Sequence, residues 1–315
     1  MGTLIHGRHS GHAPVVLRAR HLVGRAARCD LQLTEPSVSG EHALLLFDDG
    51  AWWVRDLGSR NGTYVGERRL GPGEKADISV GDVLRFGRSG DFVLRHDGPP
   101  AALAVPMNGA ELALDDLLYA ERDLLGLPDE DDPDVTLRRL GEGWVLEDDD
   151  SAQPVHMQAR IEVGGRTWLV LVPPDTEAVV ATTAFSSAPK PSLVDAHLHF
   201  GVSADEEHVT LHVRVGAQVF PVKSRTHHYL LLTLARQRLE DVENGVDDAE
   251  AGWLHAEDLQ KMLRMDRRAL NTQVFRARRQ LAGIDIEGGS DIIERRDPAR
   301  QMRIGASRIE IERLG

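Results

Sequence analysis

Three short motifs in the first quarter of the chain carry side chains that can bind a phosphate group. They are Gly24-Arg25, Ser39-x-x-His42 and Asp56-Leu57-Gly58-Ser59-Arg60-Asn61-Gly62-Thr63. A phosphate monoester on a protein carries about −1.5 to −2 charges near neutral pH and three strong acceptor oxygens. A guanidinium fork, a hydroxyl and an amide bind such an anion through charge-assisted hydrogen bonds. The candidate ligating residues are therefore Arg25, Ser39, Arg60 and Asn61.

Short strands separate these motifs and must position them. Alternation predicts an opening strand over residues 15–19 and a hairpin from 43–47 to 52–55, turning at Asp49-Gly50. Residues 83–87 and 92–95 close the pattern. Evenly spaced short strands favour a β-sandwich. Loops at one end of a sandwich bring together residues that are distant in sequence, so the three motifs can share one site.

The order and spacing of the motifs between His21 and Gly87 resemble those of the forkhead-associated (FHA) domain, a family that reads phosphothreonine. The resemblance implies that Arg25 and Ser39 hold the phosphate, that Asn61 holds the peptide backbone and that Arg60 assists. It also implies structural support from these residues: Gly24, His42, Gly62 and Thr63. Taken alone, Asn61 also fits the left-handed turn residue of an Asn-Gly pair. Gly40 follows Ser39 where the family commonly has Arg, which removes one peptide contact.

Length and composition indicate several globular domains. A chain of 315 residues exceeds what one hydrophobic core usually serves, and 41% hydrophobic with 28% charged residues is typical of a soluble protein. No apolar run approaches the roughly 20 residues of a membrane helix, and the first residues lack a signal-peptide core. The single cysteine, Cys29, excludes an internal disulfide and suits a reducing compartment. We therefore expect a cytoplasmic protein without a membrane partner.

Charge is distributed unevenly along the chain. The net charge is −13, yet from Val213 onward 18 Lys and Arg face 16 Asp and Glu, so the acidity belongs to the preceding residues. A polyanion would therefore meet the C-terminal part first.

We predict four segments. Residues 1–98 form the all-β FHA sandwich, and 99–173 form a second small β-rich module that resembles a degenerate half of the first. Residues 174–190, rich in Ala, Ser, Thr and Pro, form a linker. Residues 191–315 form an α+β domain. Thr182 or Thr183 in the linker is a candidate self-ligand of the phosphothreonine site. The acidic runs at 129–134 and 147–150 are interpreted as solvated loops.

Motifs typical of enzymes do not fit their context. His197 and His199 lie two apart, as in the Asp-x-His-x-His strand of metal-dependent amidohydrolases, but that family needs a barrel of about 250 residues and only 116 follow. Gly71-x-Gly73-x-x-Ala76 follows a charged turn rather than a strand, unlike a dinucleotide-binding loop. We expect no catalytic residues, no metal, no cofactor and no enzymatic activity.

The C-terminal segment has the pattern of strands followed by three helices and a hairpin. Ser224 is placed as the N-cap of a helix over 225–240, and a second helix begins near His255 with Met262 inward. Over 267–281 an apolar stripe recurs at steps of four, three and four: Leu270, Val274, Ala277 and Leu281. A hairpin over 291–304 follows. This order resembles the winged-helix effector domain of response regulators, with Arg278 in the place of a family arginine.

In that family the third helix enters the major groove and the hairpin wing contacts the DNA backbone or minor groove. The resemblance implies nine candidate DNA contacts: Arg268, Asn271, Thr272, Arg276, Arg279, Arg295, Arg296, Arg300 and Arg303. The acidic loop at 240–250 must point away for DNA to approach.

Together these patterns predict a phosphothreonine-reading transcription regulator. Its partners would be a phosphothreonine-containing protein and double-stranded DNA, with a homodimer left open. The alternative is a phosphopeptide-binding adaptor whose winged helix is a protein-interaction surface. Salt dependence separates the two, because DNA binding weakens steeply with salt.

Overall fold

The computed structural model describes residues 2–7, 12–141, 143–148, 151–173, 191–284, 286–296 and 299–314. These residues form two compact units, Met1–Glu121 with Val155–Ala178, and Arg122–Pro154 with Val179–Gly315. Thr182 and Thr183 lie outside the described residues. None of the helices in the described ranges combines the length and apolar character that crossing a membrane requires.

The structure contains 27 strands and three α-helices within those ranges. The first strands are β1 (Gly2–His6), β2 (Val15–Val16), β3 (Arg20–Gly24), β4 (Leu31–Gln32), β5 (Ala43–Asp48), β6 (Ala51–Asp56), β7 (Thr63–Val65), β8 (Arg68–Arg69), β9 (Lys75–Ile78), β10 (Val83–Phe86) and β11 (Phe92–Asp97). They are followed by β12 (Leu103–Asn108), β13 (Glu111–Leu112), β14 (Leu118–Tyr119), β15 (Leu124–Leu127), β16 (Val135–Leu140), β17 (Gly143–Glu147), β18 (Ala152–Val155), β19 (Gln158–Val163) and β20 (Arg166–Leu171). The last elements are β21 (His197–Ser203), β22 (Val209–Val215), β23 (Gln218–Val222), α1 (His228–Glu243), β24 (Leu254–His255), α2 (Ala256–Leu263), α3 (Arg267–Ala282), β25 (Ile293–Arg296), β26 (Gln301–Ile304) and β27 (Arg308–Leu314).

The first unit contains a sandwich of two sheets. One has the order β2-β1-β11-β10-β7-β8 and the other β4-β3-β5-β6-β9. Leu84 and Leu94 of the first sheet and Leu45 and Trp52 of the second are fully buried in one apolar cluster. Each such side chain contributes about 1.5 to 3 kcal/mol of burial free energy. The sandwich agrees with the sequence prediction, although β1 was not predicted and the opening strand is shorter than 15–19.

The range 99–173, predicted as one module, contributes strands to both units. In the first unit β12 pairs with β20, and β19 completes the same sheet. In the second unit β15, β16, β17 and β18 form a separate sheet. Pattern alone could not separate the β16–β17 and β19–β20 hairpins, because both have the alternation of half-buried strands.

A buried ion cluster lies at the centre of the second unit. The carboxylate of Glu147 is 2.7 Å from Arg138 Nε, 3.0 Å from Arg278 Nη1 and 2.8 Å from Arg295 Nε. The side chains of Glu147 and Arg278 are 2% and 1% exposed. Glu147 is therefore an anchor between β17, α3 and β25, which corrects its interpretation as part of a solvated loop.

The three guanidinium groups also set the protonation of this carboxyl. Burial alone favours the neutral acid, but the positive charges of Arg278, Arg295 and Arg138 outweigh it and hold the pKa of Glu147 well below its ordinary value. Glu147 is therefore ionised at neutral pH, and the cluster keeps its charge pairing.

The rest of the second unit follows the predicted order of strands, three helices and hairpin. The sheet β23-β22-β21-β27 packs its buried side chains with those of the helices in one apolar cluster, and β25 pairs antiparallel with β26. α3 begins after Asp266, whose carboxylate accepts a hydrogen bond from Ala269 N at 2.8 Å. This is an N-cap, which offsets the unpaired amides of the first turn.

Two local predictions for the helices were wrong. α1 begins at His228, and the Ser224 hydroxyl donates to Val209 O of β22 rather than capping the helix. Met262 of α2 is 57% exposed, not inward. The start of α1 lies within one turn of the predicted start, and helix ends are where sequence patterns resolve least. In α2 the start was predicted to within one residue, and only the inward assignment of Met262 fails.

Candidate functional site

Three loops at one edge of the sandwich bring the candidate phosphate ligands together. Arg25 follows β3, Ser39 lies between β4 and β5, and Arg60 and Asn61 lie between β6 and β7. Arg25 N donates to Ser39 O at 2.9 Å, and Arg60 N donates to Ser39 Oγ at 3.1 Å. Ser39 thus joins the other two loops, although 35 sequence positions separate Arg25 from Arg60.

The Arg25 side chain is exposed, and its Nε donates to Val38 O at 3.2 Å. That bond directs the guanidinium, whose terminal nitrogens have no partner among the described residues. The Arg60 side chain is likewise exposed and unpaired within the described part of the chain. Two cationic groups therefore stand available beside the Ser39 hydroxyl.

Asn61 is held by its side chain rather than by its backbone conformation. Its Nδ2 donates to Ser37 O at 2.7 Å, which links it to the loop that carries Ser39. The left-handed conformation belongs to Gly62, at a φ of 86°, and Asn61 is not among the residues with positive φ. The alternative interpretation of Asn61 as a left-handed turn residue is therefore wrong.

His42 connects two of the loops from inside. Ser39 N donates to His42 Nδ1 at 3.0 Å, so that nitrogen carries no proton, and Nε2 donates to Gly62 O at 3.1 Å. Burial lowers the pKa of His42, which keeps the ring neutral in this arrangement. His42 is fully buried and so positions the site from behind.

Gly24 supports the site through a close approach of two backbones. A Cβ at this position would lie 2.3 Å from Gly40 O and 2.9 Å from the Cys29 sulfur. Any side chain would push apart the loops that carry Arg25 and Ser39. This supplies the physical reason for glycine beside arginine in the first motif.

Asp56, the first residue of the third sequence motif, organises the β6–β7 loop, a role that the sequence analysis did not assign to it. Its Oδ1 accepts from Gly58 N and Ser59 N, at 2.8 and 2.9 Å. Its Oδ2 accepts from Ser59 Oγ at 2.6 Å and Thr63 Oγ1 at 2.8 Å. Burial favours the neutral acid, but these hydrogen bonds outweigh it and lower the pKa of Asp56. An Asp followed by Gly-Ser and then Thr is the signal that would have identified it.

Four predicted DNA contacts lie on one side of α3, which we call the basic face: Arg268, Thr272, Arg276 and Arg279. In the second unit this face contacts residues 129–134, which we call the acidic segment. Arg268 Nη2 is 2.7 Å from Asp132 Oδ2, and Arg279 Nη2 is 2.6 Å from Glu130 Oε2. The acidic segment is thus paired with α3 rather than free in solvent.

Arg295, Arg296 and Arg303 of the predicted wing also have acidic or backbone partners. Arg295 is 11% exposed, binds Glu147 and donates to Asn271 Oδ1 at 2.9 Å. Arg296 makes a bidentate pair with Glu250 at 2.8 and 3.2 Å, so the acidic loop at 240–250 does not point away from the hairpin. Arg303 is 15% exposed and lies 2.6 Å from Glu294, while Arg300 is exposed.

The histidines weighed as metal ligands have other surroundings. His199 Nε2 lies 2.8 Å from Glu310 Oε2 of the neighbouring strand β27. Asp205, Glu207 and His208 place potential ligand atoms within 4.8 Å of one another at an exposed turn. Exposed acidic groups often lie this close without binding an ion, so this cluster does not by itself indicate a metal site.

Comparison with known proteins places an FHA domain at residues 21–87, which match the family model of that name. A protein phosphatase 1 regulatory inhibitor subunit homologue of Arabidopsis thaliana is 36% identical over 91 residues, 28% of this chain and 25% of that protein. The FHA domain-containing protein FhaB of Mycobacterium tuberculosis is 35% identical over 68 residues, 22% of this chain and 43% of that protein. The chain thus spans less than half the length of either relative.

Solved FHA domains are also similar to the first part of the chain. One, from a structural and functional analysis of phosphothreonine-dependent FHA domain interactions, is 25% identical. The match covers 30% of this chain and 94% of the solved chain, with a TM-score of 0.27.

Proposed function

We propose that this chain is a phosphothreonine-reading regulator that uses the FHA domain at residues 21–87 to bind a phosphorylated protein partner. The observation that carries the proposal is the joining of three loops through Ser39 and Ser37, with Arg25, Arg60 and Asn61 at one edge. FHA domains recognise phosphopeptides, so on this proposal the chain binds a phosphorylated protein and does not itself transfer phosphate.

Each side chain has a defined role in this proposal. Arg25 presents its terminal nitrogens to the phosphate, and Arg60 adds a second positive charge. The Ser39 oxygen already accepts Arg60 N–H, so its own hydrogen remains to be donated to a phosphate oxygen. Asn61, fixed through Nδ2 to Ser37, would hold the peptide backbone as the family resemblance implies.

Binding of matched peptides tests this function. The full chain is titrated with a degenerate peptide pool carrying a central phosphothreonine, with the same pool unphosphorylated, and with a phosphoserine pool. Binding of only the phosphothreonine pool is expected. Equal binding of the phosphorylated and unphosphorylated pools would contradict the proposal, because the charged ligands would then contribute nothing.

We propose as a second function that the second unit contacts double-stranded DNA as a winged helix. What favours it is the distribution of side chains on α3, whose buried stripe leaves Arg268, Arg276 and Arg279 exposed on one side, with Thr272 between them at its edge. Phosphate contacts by several arginines would make binding fall steeply with salt, by a log–log slope of about 0.9 per contact. DNA affinity would then be linked to phosphorylation by upstream Ser/Thr kinases.

The alternative of a phosphopeptide-binding adaptor is favoured by the pairing of the same arginines with acidic groups. Arg268, Arg279 and Arg296 each have a carboxylate partner within the second unit. Selection of genomic DNA fragments by the full chain, with Arg276→Ala as the comparison, separates the two. Enrichment of a shared sequence by the parent alone supports DNA binding, and no enrichment supports the adaptor.

A further inference from the structure

We propose that the basic face of α3 is a polyanion-binding surface and that the acidic segment is its intramolecular competitor, an inference that rests on the proposed DNA contact. The acidic segment comprises residues 129–134, in the connection between β15 and β16. Its occupancy of the face would lower the apparent affinity for DNA and make access to α3 an adjustable property of the chain.

The pairing at the start of α3 resembles the binding of a phosphate. Arg268 Nε and Nη2 lie 2.9 and 2.7 Å from Asp132 Oδ2. The single hydrogen of the Thr272 hydroxyl has two acceptors within reach, Arg268 O at 3.0 Å and Asp132 Oδ1 at 3.2 Å. One carboxylate therefore takes a guanidinium fork and lies within reach of a hydroxyl, and both are donors that a DNA phosphate would take.

The pairing continues along the helix. Arg276 Nη2 donates to Asp131 O at 2.9 Å, and Arg279 Nη2 is 2.6 Å from Glu130 Oε2. The acidic segment therefore runs antiparallel to α3, and Glu130 lies near the C-terminal end of the helix. All four residues of the basic face are contacted by three consecutive residues of the segment.

A turn within the acidic segment orders the residues that contact the helix. Asp129 Oδ1 accepts from Asp131 N at 3.0 Å and from Asp132 N at 2.9 Å. This turn orders the residues that meet α3, which lowers the entropy cost of the contact. A preformed turn also lets the segment leave and return as one piece.

The contact between the acidic segment and α3 differs in solvent exposure from the buried ion cluster around Glu147. The side chains of Arg268 and Asp132 are 60% and 49% exposed, whereas those of Arg278 and Glu147 are 1% and 2% exposed. Exposed pairs are individually weak and are screened by salt, whereas buried pairs are screened much less. The Glu147 cluster can therefore hold β17 on α3 while the segment opens.

Competition predicts a specific difference in DNA binding. If the open form is a small fraction of the population, the apparent dissociation constant rises in proportion to the inverse of that fraction. Removing the carboxylates of Glu130 and Asp132, which leaves Asp134 at 3.4 Å from Arg268, should tighten DNA binding by about tenfold, the order expected for a few exposed pairs. It should also steepen the salt dependence of DNA binding. In the parent, added salt weakens DNA binding but also releases the competing acidic segment, and the variant lacks this second, compensating effect.

The test compares the full parent chain with the double variant Glu130→Gln and Asp132→Asn. Fluorescence anisotropy of a labelled mixed-sequence duplex is measured across a series of salt concentrations. The matched control is Asp77→Asn with Glu111→Gln, which changes the net charge equally at exposed residues of the first unit. Far-UV circular dichroism verifies that each variant is folded.

Tighter binding and a steeper slope in the double variant, but not in the control, support the competitor. Equal affinity and equal slope for parent and variant overturn it while leaving DNA binding intact. Absence of binding by every form overturns the DNA contact itself. If the double variant does not fold, a synthetic peptide of residues 128–135 added to the parent replaces it, and failure of excess peptide to weaken DNA binding overturns the proposal.

Discussion

Arg25 is the residue on which the proposed phosphate recognition most depends. Its Nε is occupied by Val38 O, so the side chain is directed while the terminal nitrogens remain for a ligand. Replacement by alanine, Arg25→Ala, should weaken binding of a phosphothreonine peptide by about 2 to 3 kcal/mol, the range of hydrogen bonds to charged groups. Isothermal titration calorimetry with phosphorylated and unphosphorylated peptides measures the difference.

Arg20→Ala is the matched control for that substitution. Arg20 is exposed at the opposite end of β3, about five residues and about 17 Å along the strand from Arg25. Its removal should leave peptide affinity unchanged. Equal affinity of the Arg25→Ala variant and the parent would mean that the phosphate binds elsewhere.

The ligating residues could be proposed from the sequence, but the groups that hold them could not. Arg25, Ser39, Arg60 and Asn61 stand in recognisable local motifs. The supporting role of Ser37 is visible only in the structure, where its carbonyl oxygen accepts a hydrogen bond from Asn61, 24 positions away. A backbone acceptor has no side-chain signature, so such a contact requires the folded loops.

At the scale of elements, the buried ion pairs of Glu147 join β17 to α3. Replacing the carboxylate with an amide, Glu147→Gln, leaves buried guanidinium groups without a counter-charge. Breaking a buried pair in this way costs about 3 to 5 kcal/mol. Hydrogen exchange of the α3 amides at neutral pH should therefore accelerate strongly, whereas Glu243→Gln at the exposed end of α1 should have little effect.

The same substitution predicts a pH dependence with a defined sign. Because folding lowers the pKa of Glu147, its stabilisation is present above the pKa of an unfolded glutamate, about 4.3, and is lost as the pH falls below it. The difference between parent and variant should thus shrink in acid. If the parent and the Glu147→Gln variant exchanged their α3 amides at the same rate at neutral pH, the ionised carboxylate would not be what holds the elements together.

Element patterns were predicted best where one helix or strand carried the whole signal. All four residues of the apolar stripe of α3 are buried, as its spacing predicted: Leu270, Val274, Ala277 and Leu281. The contacts of the acidic segment with α3 join residues more than 130 positions apart, and both partners are charged runs that look solvated by themselves. Periodicity reports which face is buried, but not which distant charges cover the other face.

At the scale of the whole molecule, one chain carries a proposed phosphothreonine-binding site and a candidate DNA-binding face. Such a chain can link the two ligands only if binding one changes the affinity for the other. Linkage is reciprocal in free energy, and typical couplings of about 1 to 3 kcal/mol change affinity by about 5- to 150-fold. We expect a saturating phosphothreonine peptide to shift the DNA affinity of the full chain, and DNA to shift peptide affinity by the same factor.

Arg25→Ala gives this experiment its internal control, because it removes the peptide response without altering the basic face. DNA titrations of parent and variant are repeated with and without peptide, and sedimentation velocity reports whether the peptide changes the oligomeric state. A shift in the parent that disappears in the variant supports coupling through the FHA site. Superimposable DNA isotherms and unchanged sedimentation of the parent with saturating peptide would instead mean that the two sites act independently, so that the FHA domain recruits a partner without controlling DNA.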